Sequence, residues 1–274
     1  MNFELSEEQK MIQQSVERFV QENYDLPKRV EISSKDPGYS QEYWSSMAEL
    51  GWLGLPFEEK DGGFGGNQID TLVIMEQFGK GLVLEPFLAN IVLGGGAIQT
   101  GGPEELKKEM LPGLIEGSKQ MTLAYAEQQS RFDLEDIATS ARKEGDKFII
   151  NGQKSMVLNA ESADHIIVVT RTSGGQVDEE GITLFLVDSD TKGLELQNFP
   201  TVDGLRASEI TFDNVEVSSE RMIGDLDKGF NILRTITNNA ILALCAEALG
   251  AMEILYKDTV EYTQQREQFD HPLS

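Results

Sequence analysis

The sequence is poor in positive charge. Its 274 residues hold 23 Lys and Arg against 47 Asp and Glu, a formal net charge of -24 at pH 7. A surface of this sign repels nucleic-acid phosphates and anionic membranes, so we expect neither as a partner. An anionic ligand such as a pyrophosphate would have to be held by local basic groups or by backbone amides.

Cysteine and histidine are also scarce. Cys245 is the one cysteine, which excludes an internal disulfide, and its apolar helical surroundings predict a buried packing role. His165 stands between Asp164 and Ile166 at the start of an apolar run, and we expect it to be structural. No cluster of His, Cys and carboxylates has metal-ligand spacing, so no metal is predicted.

Targeting signals are not evident in the sequence. The opening residues MNFELSEEQK are neither basic nor apolar enough for a signal peptide, and no apolar run is expected to reach transmembrane length. A cytoplasmic location is therefore expected.

The first part of the sequence has helical periodicity. Ser6 and Gln9 have capping-box spacing, and Ser40 is a candidate cap for a second helix that ends at Gly51. Further helices are predicted from Ile69 to Phe78, where Gly79 and Gly81 end the helix, around Ile91 and Val92, and from Pro103 to Leu111, where Pro112-Gly113 ends the helix.

The middle of the sequence alternates as β-strands do. Apolar runs surround the predicted turns Glu144-Gly145-Asp146 and Asn151-Gly152, and Asn-Gly between apolar runs is a strong hairpin signal. We therefore predict a meander of antiparallel strands. A long helix follows, from about Asn231 to Gln268, with an apolar stripe predicted to face inward: Ile236, Leu242, Leu249, Met252, Leu255 and Val260.

Several motifs resemble the acyl-CoA dehydrogenase flavoenzymes over nearly the whole chain. The sequence has LSEEQ at residues 5–9 and Ala126-Glu127-Gln128-Gln129-Ser130-Arg131-Phe132-Asp133 where the family has Thr-Glu-Pro-Gly-x-x-Ser-Asp. It also has the Asn-Gly-x-Lys motif at residues 151–154 and Arg-x-x-Phe at 266–269. Within the family, the pattern is most similar to the small subunits of two-gene, pimeloyl-CoA dehydrogenase-like enzymes.

The resemblance implies an α+β multidomain fold. Residues 1–119 would form an N-terminal all-α helical domain and residues 120–220 a middle antiparallel β-barrel-like domain. Residues 221–274 would supply only the first helix of a C-terminal helical bundle, which family members continue for roughly another hundred residues, the scale of such a bundle.

The resemblance also implies FAD as cofactor and an acyl-CoA thioester as substrate. Backbone groups of Tyr125 and Val157 and the positions of Ala126 and Leu158 would face the flavin. Arg266, with Gln268 and Phe269 beside it, would reach the pyrophosphate of an FAD bound by a neighbouring subunit, where a guanidinium donates two charged hydrogen bonds. On the residues alone, a solvated helix-end arginine is the favoured interpretation of Arg266.

Several family positions are altered. The flavin-binding hydroxyls are replaced by Ala126 and Leu158, and Arg131 and Phe132 stand where a Gly and a Ser meet flavin and thioester. The glutamate base that some members carry on the long helix aligns with Ala240. Glu247 is seven residues further, about 10 Å along the helix. No catalytic residue is therefore assigned.

We accordingly expect an acyl-CoA dehydrogenase-type subunit of fatty acid metabolism. It would act in a homo- or hetero-oligomer with a paralogous chain, with electron-transfer flavoprotein as the acceptor. Two alternatives stay open, because fold alone does not decide function. One is a non-catalytic partner that completes the FAD site of a paralogue, and the other is a flavin monooxygenase on the same fold.

Overall fold

The computed structural model describes residues 4–274, which form two compact units. The helical unit contains the described part of Met1–Glu31 together with Asn67–Val83 and Ile241–Ser274. The sheet unit contains Ile32–Gly66 and Leu84–Ala240. Each unit has its own buried residues.

The described residues contain seven α-helices and one π-helical segment. The π-helical segment, Leu88–Gly95, continues directly into α5 and replaces the ordinary helix predicted around Ile91 and Val92. The α-helices are α1 Glu7–Asn23, α2 Leu26–Ser33, α3 Gln41–Glu49, α4 Gln68–Gly81, α5 Gly96–Gly101, α6 Glu104–Ile115 and α7 Phe230–Gln265.

Two predicted caps are confirmed. The Ser6 hydroxyl accepts from the Gln9 amide at 3.1 Å, and the Gln9 side chain accepts from the Ser6 amide at 3.0 Å. Ser40 caps α3 by accepting from the Tyr43 amide at 3.2 Å. These bonds satisfy amide groups that the first helical turn leaves without partners.

The predicted end of α6 at Pro112 is wrong. The helix continues through Pro112 to Ile115, and Leu111 and Leu114 on either side of the proline are fully buried. A proline inside a helix removes one backbone hydrogen bond. Burial of two leucines is worth about 3–6 kcal/mol, enough to offset that loss.

The predicted end of α4 near Phe78 is also wrong. The helix passes through Gly79 and ends at Gly81. Within the helical unit, a Cβ on Gly79 would lie 1.9 Å from the carbonyl oxygen of Glu247 in α7. A Cβ on Gly250 would lie 1.8 Å from the carbonyl oxygen of Glu76 in α4. These two glycines therefore serve a backbone-to-backbone helix crossing, for which glycine is required because it has no side chain.

Eight of the described strands form one sheet. They are β1 Met121–Ala124, β2 Ser140–Glu144, β3 Lys147–Leu158, β4 His165–Arg171, β5 Ile182–Asp188, β6 Leu194–Pro200, β7 Arg206–Ser218 and β8 Met222–Ile223. The order is β6-β7-β3-β2-β4-β5-β8, and β1 pairs with β4 in parallel. A two-stranded sheet of β9 Glu267–Gln268 and β10 His271–Pro272 follows α7.

One of the two predicted turns is confirmed. Glu144 pairs with Lys147 across Gly145-Asp146, where Gly145 has the left-handed φ of 66° that such a turn needs.

The hairpin turn predicted at Asn151-Gly152 is wrong, because β3 runs straight through it. The ladder with β7 shifts between Ile150 and Gly152, so Asn151 alone opposes two residues of β7, Asp213 and Asn214. The Asn151 side chain accepts from the Asn214 amide at 2.9 Å, and Asn214 has a φ of 53°. Asn151 therefore pins a β-bulge.

One core cluster of the sheet unit lies on one face of the strands, while β4 and β5 are buried on both faces. Phe148 and Phe185 meet there with ring centroids 4.7 Å apart and a 44° tilt, a favourable aromatic arrangement. Residues from β2, β3, β4, β5 and β7 complete this core. The fold class expected from the sequence, helical domain, β-domain and C-terminal helix, is confirmed; the three domain boundaries stay a prediction.

The second half of α7 is mostly exposed. Of the six residues predicted to face inward, Ile236 is buried, whereas Leu242, Leu249, Met252, Leu255 and Val260 are exposed. Cys245 is exposed as well, so its predicted burial is wrong. Among residues 4–274 no segment covers this apolar face of the helix.

By length and composition alone, α7 is long and apolar enough to cross a membrane, and its most apolar window has a mean hydropathy of 1.4. No segment of this kind is expected from the sequence. Core helices of soluble proteins reach the same length and hydropathy.

Candidate functional site

The structure brings four of the predicted flavin-facing residues together. The Thr122 hydroxyl of β1 donates to the Leu158 carbonyl of β3 at 2.6 Å, and the Ser155 amide donates to the Ala126 carbonyl at 2.9 Å. These two bonds join the end of β1 to the end of β3. Tyr125 and Ala126 thus lie beside Val157 and Leu158, as a shared cofactor surface requires.

A buried ion pair lies directly beneath this junction. Lys154 Nζ is 2.6 Å from Glu127 Oε1, and the two side chains are 0% and 3% exposed. Lys154 Nζ also donates to the Tyr125 carbonyl at 3.2 Å.

The Glu127 carboxylate has further partners. Its Oε2 accepts from the Ala138 amide at 2.9 Å and from the Gln129 amide side chain at 2.7 Å, and its Oε1 accepts from the Thr139 amide at 3.1 Å. The carboxylate therefore ties both ends of the loop between β1 and β2 to β3. A buried charge is tolerated when it is paired and hydrogen-bonded in this way.

Burial and pairing shift both pKa values. Burial lowers the pKa of Lys154 to about 8, and the nearby Glu127 carboxylate opposes that fall. Burial alone would raise the pKa of Glu127, but Lys154, Gln129 and the Ala138 amide together hold it below its ordinary value. Both groups are therefore charged at neutral pH.

A second β-bulge adjoins the ion pair. Lys154 pairs with Ile210 and Val157 with Ser208, so two residues of β3, Ser155 and Met156, oppose Glu209 alone on β7. The half-buried Glu209 carboxylate accepts from the Ser155 hydroxyl at 2.8 Å and from the Met156 amide at 3.3 Å. Met156 has a φ of 53°, which is uncommon for a residue with a long side chain.

The loop after Ala126 presents the two substituted residues to solvent. Phe132 is 95% exposed, and Arg131 is exposed with a φ of 48°. A bare phenyl ring offers no hydrogen bond to a cofactor or a thioester.

The other end of this loop is held by Arg171, for which the sequence predicted no role. Its guanidinium donates to the carbonyls of Glu135, Gln176, Asp178 and Glu180 at 2.7–2.8 Å. The only hint of this role in the sequence is an arginine at the end of an apolar run. It does not show which carbonyls the side chain would reach.

The remaining predicted cofactor residues lie in the helical unit, at the end of α7. Arg266, Gln268 and Phe269 are all exposed. The Arg266 guanidinium lies 6.0 Å from the Tyr262 ring centroid, and Phe269 with Asp270 forms the turn between β9 and β10 at φ values of 57° and 66°. Their contact with a flavin stays a prediction.

The two positions considered for a catalytic base, Ala240 and Glu247, differ in chemistry and in burial. Ala240 is buried at 6% exposure and has no acidic group, whereas Glu247 is half-buried. His165, expected to be structural, bonds Asp188 across β4 and β5 with Nδ1 2.8 Å from Oδ1. The described residues contain no group of three potential metal ligands.

The roles of Glu127, Lys154 and Glu209 could not be assigned from the sequence. Glu127 and Lys154 were visible as members of two motifs, but their pairing across 27 residues was not. Two opposite charges, Glu127 shortly after β1 and Lys154 within β3, are the signal that could have suggested it, because buried charges need partners. Nothing in the sequence marks Glu209 as a site residue. Its position opposite Ser155 and Met156 depends on the strand register, and the bulge itself sets that register.

Comparison with known proteins identifies the class. Residues 6–118 match the acyl-CoA dehydrogenase N-terminal domain, and residues 122–215 match the middle domain of the same enzymes. A short-chain specific acyl-CoA dehydrogenase of Clostridium acetobutylicum is 30% identical over 281 residues, covering 100% of this chain and 73% of that protein. The chain therefore belongs to the acyl-CoA dehydrogenase family.

The names of two further similar proteins mention FAD or an Etf complex. The solved structure of PigA with FAD and proline has a TM-score of 0.90 and 26% identity, covering 100% of this chain and 72% of that one. Subunit CarC of the caffeyl-CoA reductase-Etf complex of Acetobacterium woodii is 26% identical over 96% of this chain and 70% of its own. Across three relatives the chain spans 65–73% of their length.

Proposed function

We propose that this chain is a flavin-dependent acyl-CoA dehydrogenase-type subunit, which takes part in the α,β-dehydrogenation of an acyl-CoA thioester within an oligomer. The observation that carries the proposal is the junction of β1 and β3. It sets Tyr125 and Ala126 beside Val157 and Leu158 on a framework that the Glu127–Lys154 pair holds from beneath.

FAD fits this junction through backbone groups. Tyr125, Ala126, Val157 and Leu158 would hold the ring by main-chain contacts, because no hydroxyl is present at Ala126 or Leu158. When bound, FAD supplies an acceptor for the hydride that leaves the β-carbon of the acyl group. The chain's own residues would orient the ring through the backbone of these four residues, since the Val157 side chain itself packs into the core of the sheet unit at 2% exposure.

The proposed reaction also needs a base that removes the α-proton of the acyl-CoA. Ala240 has no ionisable group, and Glu247 lies about two helical turns further along α7. Since an α-proton must be removed by a positioned carboxylate or a similar group, we propose that the base comes from outside the described residues.

The exposed half of α7 supports an oligomer. Within the helical unit it presents Leu249, Met252, Leu255 and Tyr256 at 53–70% exposure. A continuous apolar surface of this kind marks an interface, because its contact with water is unfavourable. We propose that it packs against a paralogous acyl-CoA dehydrogenase chain.

The same observations favour a second candidate function, a non-catalytic partner that completes the FAD site of a paralogue. By the resemblance, the exposed Phe132 stands at a serine position of the family, and the buried Ala240 stands where some members carry the glutamate base. In this case Arg266 would serve the partner's FAD pyrophosphate. The electron acceptor proposed for either assembly is electron-transfer flavoprotein, to which the name of CarC links that relative.

The test is to purify the native protein with every chain that accompanies it, and to measure intact masses and bound flavin. A yellow assembly that a series of acyl-CoA thioesters reduces anaerobically supports the dehydrogenase subunit. A colourless chain that co-purifies with a larger flavin-loaded paralogue supports the partner function. A protein whose flavin acyl-CoA does not reduce, but which binds added reduced FMN and hydroxylates a substrate with oxygen, would replace both with a monooxygenase.

A further inference from the structure

The end of β3 departs from regular strand pairing with β7. Ser155 and Met156 form a bulge opposite Glu209, and immediately after it come Val157 and Leu158, two of the four residues proposed to face the flavin. A bulge bends its strand and re-aims the residues that follow it, and bulges are frequent beside functional sites.

Two charged side chains hold the bulge from opposite sides. Glu209 on β7 accepts from the Ser155 hydroxyl at 2.8 Å and from the Met156 amide at 3.3 Å. Lys154, the residue before the bulge, is fixed by its 2.6 Å contact with Glu127. The Ser155 amide, freed from the β7 ladder, donates to the Ala126 carbonyl at 2.9 Å. The bulge thereby connects β3 to the segment that carries Tyr125 and Ala126.

The backbone at the bulge is strained. Met156 has a φ of 53° and a 53% exposed side chain, so burial of that side chain does not stabilise the conformation. A left-handed residue other than glycine costs of order 1 kcal/mol and persists only where neighbouring contacts impose it. The Glu209 bond to the Met156 amide is the contact that imposes it here.

We propose that Glu209 and Lys154 are positioning residues, which set the bulge and so align the backbone of Val157 and Leu158 with that of Tyr125 and Ala126 for flavin binding. This inference rests on the proposed function. Neither side chain has to touch the cofactor. They act on flavin binding indirectly, by fixing the register of β3.

The same two strands supply matched controls. Asn151 pins the other bulge of the β3–β7 ladder in the same manner, by accepting from the Asn214 amide at 2.9 Å. Lys147 and Glu216 form an exposed ion pair on these strands at 2.6 Å, at the end remote from residue 158. Loss of either control contact changes the sheet but not the alignment beside Leu158.

The test uses the purified native assembly and measures the FAD dissociation constant by flavin fluorescence, together with urea stability. Glu209→Ala and Lys154→Met are expected to raise the dissociation constant by about tenfold or more, the effect of losing one charge-assisted hydrogen bond in the alignment. Glu209→Gln, whose amide oxygen still accepts a hydrogen bond, is expected to recover most of the affinity. Asn151→Ala and Glu216→Ala are expected to stay within about twofold of the parent.

Stability separates positioning from simple unfolding. If Asn151→Ala lowers the urea midpoint as much as Glu209→Ala but retains FAD, the flavin effect belongs to the bulge at Ser155–Met156. If Glu209→Ala and Lys154→Met bind FAD like the parent, the inference is overturned while the proposed function stands. If the parent assembly itself binds no FAD, the proposed function fails and this inference fails with it.

Discussion

The crossing of α4 and α7 in the helical unit offers the sharpest stability prediction. A carbon–oxygen contact requires roughly 3.3 Å, whereas a Cβ on Gly250 would lie 1.8 Å from the Glu76 carbonyl oxygen. The helices would therefore have to separate by roughly 1.5 Å to accept Gly250→Ala. Gly79→Ala meets the same obstacle at the Glu247 carbonyl oxygen, 1.9 Å away. In both cases the obstacle is backbone, which cannot rotate aside as a side chain does.

Two effects oppose each other in these variants. Alanine is favoured over glycine inside a helix by about 1 kcal/mol. Overpacking costs about 1–3 kcal/mol, and a rigid backbone obstacle places this case at the upper end. The net expectation is a loss of about 2 kcal/mol for each single variant, or roughly 4–8 °C in Tm for a chain of this size.

The double variant tests the reasoning most strictly. One separation of the helices accommodates both new methyl groups, so Gly79→Ala with Gly250→Ala should cost about 2–3 kcal/mol, less than the sum of the singles. Gly96→Ala is the matched control, because the nearest side-chain atom to its Cβ, Ile236 Cγ2, is 3.5 Å away. It should be neutral or stabilising by up to about 1 kcal/mol.

The assay is urea unfolding followed by circular dichroism in the far ultraviolet. Stability equal to the parent in either single variant would show that the helices do not cross backbone to backbone. Full additivity of the two losses would show that the glycines do not share one contact.

Three further predictions follow from the site and from α7. The chain alone should show no acyl-CoA turnover with an artificial electron acceptor, since Ala240 stands at the base position; turnover that Glu247→Gln abolishes would contradict this. In the assembled oligomer Arg266→Ala should weaken FAD binding by about 1–3 kcal/mol and Arg266→Lys by less, because lysine loses the planar fork; unchanged flavin affinity in both would make Arg266 an ordinary helix-end arginine. Because burial lowers the pKa of Lys154 to about 8 from an ordinary 10.5, the unfolded chain binds more protons than the folded chain between these pH values. Stability should therefore rise with pH there, by at most about 1.4 kcal/mol per unit, and Lys154→Met should remove that rise.

Regular elements were predictable from the sequence, and their causes are local. The Ser6 and Ser40 caps depend on residues three positions apart, and the Gly145 turn depends on one glycine beside an aspartate. Such signals lie within one turn or one loop, so a sequence shows them in full. The resemblance of two motifs groups Tyr125 with Val157 as flavin-facing residues, and the Ser155–Ala126 backbone bond brings their segments together; their contact with a flavin stays a prediction.

The errors have a common physical origin. Gly79 predicts a helix end and Asn151-Gly152 a hairpin turn, because glycine and Asn-Gly usually have those local roles. In the fold, Gly79 meets the backbone of α7 and Asn151 pins a bulge against β7. In each case a residue distant in sequence determines the role, and a local pattern contains no information about that residue.

The inward stripe assigned to α7 shows a different limit. Periodicity identifies the apolar face of a helix but not what covers it. Leu249, Met252 and Leu255 lie on such a face and are exposed within the described chain, so the covering surface must be supplied by something other than residues 4–274. An exposed apolar stripe is unfavourable in water. The oligomer proposed above would cover this stripe, and its partner chain would supply the base for which Ala240 has no ionisable group. In that case one partner accounts for both deficits, the uncovered stripe and the missing base. Light scattering of the native protein at micromolar concentration decides this point. A stable monomer with bound FAD would separate the two deficits and leave each to be explained on its own.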